Sequence, residues 1–289
     1  MWSKEQLILN GLPPVSDAKL QKLQRLIVNG ELRDTAADPY TRFQTAAASF
    51  FTSSQRYQLQ GIEQFVHHDV TMGCNHFIDN LIMRHGISGL QIFEHDYKYY
   101  QRLCPDITFA QVNKLIPGKP VLIAAPIPGY LDLHPQWAEI VSECENKNIP
   151  MHLDASWMGA ATDIKLDLGS PAIRSVCMSL SKGLGMHWNR VGLRWSRDQD
   201  PTDSISILNR FRMIPESLVR NGIVAMSQIE PDYLWSTYGD RHKEICQALW
   251  IRPSKIIHAA RSLDRTKLYG LANFFNAEYG SGHPLGPII

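Results

Sequence analysis

Residues 179–192, Ser-Leu-Ser-Lys-Gly-Leu-Gly-Met-His-Trp-Asn-Arg-Val-Gly, hold the side chains of this sequence best suited to covalent chemistry. Lys182 is their centre. It follows the apolar run 173–178 and stands among Ser179, Ser181, Gly183 and Gly185, so it falls where a strand end gives way to a loop. A primary amine there can condense with a carbonyl to form an imine. That reaction needs the neutral amine, and partial burial or a nearby cation lowers a lysine pKa toward working pH. Arg190, eight residues later, can be such a cation, and its planar fork of donors matches phosphate oxygens. Ser179 and Ser181 add short hydroxyl donors. Serine-glycine loops that contain a lysine are common, so a surface turn with a solvated lysine is the alternative for this segment taken alone.

Elements upstream must hold these groups in place. Val121-Leu122-Ile123-Ala124-Ala125 reads as a strand buried on both faces. A helix over 135–147 follows, with Trp137, Ile140, Val141 and Cys144 inward, and then a second strand over 149–153 that ends at Asp154. Strand, helix, strand is a βαβ unit, whose ligands gather at the carboxyl ends of the strands. Asp154 is therefore placed for function, with a helix N-cap as the alternative. Val70-Thr71-Met72-Gly73-Cys74-Asn75 leads into a helix over 77–82, and a glycine turn at a helix N-terminus favours an anion. Leu90-Gln91-Ile92-Phe93 reads as a short buried strand, followed by Tyr97, Tyr99 and Tyr100, which either pack a helix on the sheet or present a flat face. Residues 193–195 read as a strand leaving the site.

The flanking regions are less informative. Ser16 reads as the cap of a short helix with Leu20, Leu23 and Ile27 on one face and Gly30 as its stop, while 34–48 show no clear period. Residues 205–220 read as helical with a break at Pro215, 223–229 are apolar, and 243–250 read as helical. Residues 256–260 fit a strand of a small C-terminal portion, and 280–289 read as irregular. His67 and His68 are adjacent and lack a third ligand at useful spacing, so no metal is expected.

At 289 residues the chain can bury a sizeable core, and its net charge of +1 gives no footprint for nucleic acid or an acidic membrane. Five cysteines, Cys74, Cys104, Cys144, Cys177 and Cys246, are widely spaced with no Cys-x-x-Cys pair. A reducing, cytoplasmic setting is expected, with neither a disulfide scaffold nor a zinc site. No apolar stretch approaches the roughly 18 residues of a membrane span.

The order Gly73, Tyr97, Asp154, Lys182, Arg190 resembles that of the fold-type I pyridoxal-phosphate-dependent enzymes, the aspartate aminotransferase-like superfamily (class I/II). The resemblance covers residues 57–195. It implies an α/β fold with a mostly parallel central sheet flanked by helices and a reduced C-terminal α+β portion. Residues 1–50 would form an N-terminal extension or arm, 51–200 the core of the cofactor-binding large domain, and 201–289 the remainder. It further implies a Schiff base between Lys182 and pyridoxal 5'-phosphate, and Asp154 beside the pyridine nitrogen. The phosphate would rest on Arg190, Ser179 and the turn Gly73-Cys74-Asn75, and Tyr97 on the ring. Tyr57, in Tyr57-x-x-x-Gly61, would reach the phosphate of the other subunit of a homodimer. An aminotransferase acting on an amino acid and a keto acid is the default. A lyase, decarboxylase or racemase on the same cofactor and a non-catalytic binding subunit are the alternatives. Two departures bear on the choice. Ala125-Pro126-Ile127-Pro128-Gly129 lacks the asparagine that usually serves the cofactor's phenolic oxygen, and Trp157 stands where a tyrosine usually does. An indole N–H donates one hydrogen bond but does not ionise near neutrality. Arg252, Arg261 and Arg265 are candidates by chemistry alone for holding a substrate carboxylate.

Overall fold

Apolar runs and the turns that end them set the frame of this chain, for which the computed structural model describes residues 3–9, 11–103 and 108–275. After the short β1 (Ile8–Leu9) comes α1 (Ala18–Val28), with Leu20, Leu23 and Ile27 buried as their spacing predicts. Its cap is Asp17, one residue past the expected Ser16: the carboxylate accepts the Leu20 N–H at 2.8 Å. α2 (Pro39–Thr52) fills the region without a clear period. Asp38 caps it and Pro39 opens it, while Phe43, Ala47, Phe50 and Phe51 form its buried stripe. Small alanines hid that stripe from the sequence pattern.

There follow β2 (Tyr57–Gln60), β3 (His67–Thr71), α3 (Gly73–His85), α4 (Lys98–Leu103), β4 (Val121–Ala124), α5 (Trp137–Asn146), β5 (Met151–Asp154), β6 (Ile164–Asp167), β7 (Ile173–Ser179), α6 (Leu180–Gly183) and β8 (Gly192–Ser196). The chain continues with α7 (Ser204–Arg210), α8 (Glu216–Gln228), α9 (Tyr233–Ala248), β9 (Arg252–Pro253), β10 (Ala259–Arg261), β11 (Leu268–Gly270) and α10 (Ala272–Phe275). The run 90–93 is buried but contributes one bridge, Gln91 to Val121, instead of a strand. The C-terminal strand begins at Ala259, later than expected. Cys104 and 280–289 lie outside the described residues.

The central sheet has the order β3-β8-β7-β5-β4. β4, β5 and β7 are parallel, and β8 runs antiparallel to both β7 and β3. Four of the five strands therefore point the same way and deliver Thr71, Ala124, Asp154 and Ser179 to one edge, where β8 begins at Gly192. Neighbouring strand residues alternate between its faces. Leu122 and Cys177 pack with Phe77, Ile78 and Leu81 of α3, while Ile123, Val176 and Met178 belong to the larger core on the other side. α2 joins that larger core. At its crossing with α8 a Cβ on Gly222 would come within 2.7 Å of Phe43, so residues 39–52 are packed into the body of the protein. β2 pairs with β6, and a separate antiparallel sheet runs β1-β11-β10-β9.

Charge within the sheet is paired. Arg194 on β8 is buried and donates to Asp69 at 2.6 Å and also to Asp203. Breaking such a pair strands a buried charge at a cost of about 3–5 kcal/mol.

Candidate active site

The edge that collects the strand ends opens into a cavity of about 750 Å³. Cys74, Asn75, Tyr97, Asp154, Trp157, Ser179, Lys182 and Arg190 all line it. Gly73 sits immediately behind.

Lys182 is carried by α6, a single helical turn where the sequence suggested a loop. The turn nests against the segment after Trp157, since a Cβ on Gly183 would meet the Gly159 carbonyl oxygen at 2.7 Å. The Lys182 ammonium donates to the Leu12 carbonyl at 3.1 Å and lies 5.6 Å from the Trp157 ring centroid. Burial lowers its pKa from 10.5 to about 8; Arg190 pushes the same way and Asp154 opposes. A substantial neutral fraction at slightly alkaline pH follows. That is what an attacking amine requires.

Asp154 ends β5 fully enclosed. Its Oδ1 accepts the Ser156 N–H at 3.0 Å, and the Tyr100 hydroxyl donates to Oδ2 at 3.3 Å. Burial holds its pKa above the ordinary carboxylate range, with the Ser156, Cys74 and Tyr100 hydrogen bonds pulling back. A cation placed beside it would ionise it and hold both charges. Burial also keeps Cys74 and Tyr100 protonated.

A candidate anion site lies where α3 begins. Gly73 has φ +75°, and no side chain caps the helix N-terminus. The Arg190 guanidinium donates to Asn75 Oδ1 at 3.0 Å, and a Cβ on Gly73 would stand 3.3 Å from Arg190 Nε. Ser181 Oγ is buried without a partner among the described residues and lines the same cavity. Uncapped amides, a guanidinium and a spare hydroxyl match an oxyanion. Gly73→Ala would put a side chain into a left-handed backbone and crowd Arg190. It is expected to cost about 1–2 kcal/mol of stability and to weaken phosphate binding, as chemical denaturation and a phosphate titration can measure.

Tyr97 presents a half-buried ring, held edge-on by Tyr100 with centroids 5.7 Å apart. Trp157 forms another wall. Behind it lies His258, fully buried with centroids 5.1 Å apart, and neither ring nitrogen finds a partner among the described residues. Burial keeps that imidazole neutral.

Tyr57 is the one expected residue that stays away. It is 4% exposed on β2, with its hydroxyl closed off near Ser54 and Asp232, so it reaches neither this cavity nor the surface. The turn that lacks the asparagine supplies Pro128, Gly129 and Tyr130 to the wall. Of the three C-terminal arginines, Arg261 and Arg265 line the cavity, and Arg252 does not.

Some lining groups escaped the sequence reading. Asp96 is buried and accepts from the Tyr97 N–H at 2.6 Å and the Ala124 N–H at 3.1 Å; burial pushes its pKa up to about 7. Its signal was an acid directly before the expected stacking tyrosine. Leu12 and Pro14 come from the N-terminal segment, for which no local pattern exists.

No protein-family model matches this sequence, and no curated protein is similar to it. Solved structures are similar. An aminotransferase from Mycobacterium tuberculosis superposes with a TM-score of 0.62 at 14% identity, over 87% of this chain and 74% of that one. A PLP-bound C-S lyase from Staphylococcus hominis gives 0.59 at 10% identity, over 85% and 73%. Alanine aminotransferase from Pyrococcus furiosus gives 0.58 at 13%, over 87% and 73%. At these identities the likeness is one of fold.

Proposed function

We propose that this chain, whose fold is that of the fold-type I pyridoxal-phosphate enzymes, is itself a pyridoxal-phosphate-dependent enzyme acting on an amino acid, in the first instance an aminotransferase. The observation that carries the proposal is a lysine of pKa about 8 in one cavity with an enclosed carboxyl and an uncapped helix N-terminus faced by arginine. The donor set fits the cofactor. Ser181 Oγ and the α3 amides are unused, and the glycine at 73 leaves room that a Cβ would fill.

Arg190, Ser179, Ser181 and the turn Gly73-Cys74-Asn75 would bind the phosphate. Asp154 would hold the positive charge of the ring nitrogen, and Tyr97 would cover one face of the ring. When bound, the cofactor supplies an electron sink that weakens the bonds at the substrate's α-carbon. Lys182 would be the covalent attachment point, and its amine, once released from that bond, would take and return the α-proton. Trp157 brings no ionisable hydroxyl to its wall, which favours a lyase or another reaction on the same cofactor as the second reading.

Purified protein incubated with the cofactor should turn yellow, and borohydride reduction followed by peptide mass mapping should place the label on Lys182. Unlabelled Lys182 with saturating cofactor sinks the proposal. An amino-acid panel with a keto acid separates transamination from elimination by the products formed.

The loading rate should rise about tenfold per pH unit below 8 and level off above it, because only the neutral amine attacks. Stability carries the matching sign. The folded lysine is neutral above pH about 8 while the unfolded one stays protonated up to 10.5, so this group adds stability as pH rises between those values.

The same proposal includes a homodimer, to be checked by light scattering, and a cytoplasmic setting. The latter is supported by Cys74, Cys144, Cys177 and Cys246, all free and buried. Among the described residues no helix is long and apolar enough to cross a membrane.

A further inference from the structure

Two enclosed carboxyls meet at the strand-end edge of the cavity, and the proposed chemistry uses one of them. Asp154 ends β5. Asp96, from the segment before α4, is fastened to the neighbouring strand end: its Oδ2 accepts the Ala124 N–H at 3.1 Å, and Ala124 is the β4 residue paired with Asp154 across the sheet. Its Oδ1 accepts the Tyr97 N–H at 2.6 Å. Both side chains line the cavity, at 3% and 2% exposure, and among the described residues neither belongs to an ion pair.

Carboxyls enclosed this close together do not ionise independently, because the charge on one raises the cost of charging the other. Their surroundings differ. Asp154 takes hydrogen bonds from the Ser156 N–H and the Tyr100 hydroxyl, and it interacts favourably with the Lys182 cation. Asp96 has two backbone amides. Burial pushes its pKa up to about 7 against the pull of those amides, and the charge of Asp154 adds to the rise. Cys74 of α3, Tyr97 and Tyr100 of α4 also face Asp154, but burial keeps all three protonated, so they bring no charge near neutrality. What decides the state of Asp96 is therefore how much of the Asp154 charge is left uncompensated.

We infer that Asp96 is a positioning residue that acts through Asp154: it stays protonated while the Asp154 charge is uncompensated, and ionises when a cation settles against Asp154, so that two negative charges then hold that cation. Its proton passes to water through the cavity that Asp96 lines. This role deepens the proposed function and rests on it, the cation being the protonated ring nitrogen of the cofactor.

Infrared spectroscopy of the full-length protein tests the coupling, since the stretch of a protonated carboxyl is distinct from the signals of lysine and tyrosine. Without cofactor, a carboxyl band should disappear with a midpoint near pH 7 and be missing from Asp96→Asn. In Asp154→Asn the Asp96 midpoint should fall by about one pH unit or more, because the neighbouring charge is gone. Saturating pyridoxal phosphate should lower the midpoint in the parent as well. If Asp96 serves only to anchor the Tyr97 segment, neither shift occurs. Asp154→Asn keeps Asp96, so it reports even if Asp96→Asn has a lowered Tm. An Asp96 midpoint that Asp154→Asn leaves in place, or an Asp96 carboxyl ionised at every pH, overturns the inference. Borohydride labelling of Lys182 is scored separately. Labelled Lys182 with an unmoved Asp96 midpoint defeats this inference alone, whereas a coupled pair without labelling defeats the proposed enzyme and leaves the carboxyl pair.

Discussion

Lys182→Ala is expected to lower turnover by about 10⁴-fold or more while leaving the protein folded. Under the proposed function two roles would disappear at once, the attachment of the cofactor and the movement of the α-proton, and each alone would account for orders of magnitude. Structurally the side chain contributes little. It makes one hydrogen bond, to the Leu12 carbonyl, and its burial disfavours its own charge, so removing it relieves a cost as well as losing a contact. The Tm should therefore shift by only a few degrees, and circular dichroism should match the parent. Steady-state kinetics with the amino donor found in the panel check the first statement. Activity within tenfold of the parent would remove Lys182 from the chemistry.

Asp154→Asn should separate activity from stability. Turnover is expected to fall by about 10²–10³-fold, because the amide cannot hold a positive charge on the ring nitrogen, and a preorganised charge is worth about that much in a dry site. Stability should move the other way. Burial raises the folded pKa of Asp154 above its unfolded value, so the carboxyl takes stability away as pH rises through that interval. Asparagine carries no such burden. At pH 8 the variant should melt higher than the parent, and the gap should close as pH falls toward about 4, where the unfolded carboxyl protonates. A variant less stable than the parent at pH 8 would show that the Ser156 and Tyr100 hydrogen bonds outweigh the desolvation of the charge.

What the sequence disclosed was the part of the site made by short-range logic. Asp154 ends a strand and Gly73 and Lys182 come within three residues of one, and the ends of strands that run the same way converge on one edge whatever the loops do. Arg190 precedes β8, which starts from that edge, so it too was legible. Tyr57 failed because its place rested on resemblance alone. Its strand pairs with β6 and turns the ring into the core. α2 was missed because three consecutive alanines blur an amphipathic period, and Arg261 was named only as one of three candidates because arginines in one stretch look alike until a hairpin sorts them. Asp96 lay in plain view. Only the fold shows that it is enclosed and tied to β4.

The pairing of Ile8 with Gly270 carries a consequence for biosynthesis. β1 is synthesised long before its partner β11, so Leu12 and Pro14 cannot take their places in the wall until the chain has been translated through residue 270. A nascent chain can assemble the central sheet and still have no finished pocket. Such a long-range closure is slow relative to local folding, which leaves the opening segment exposed to proteases and chaperones while it waits.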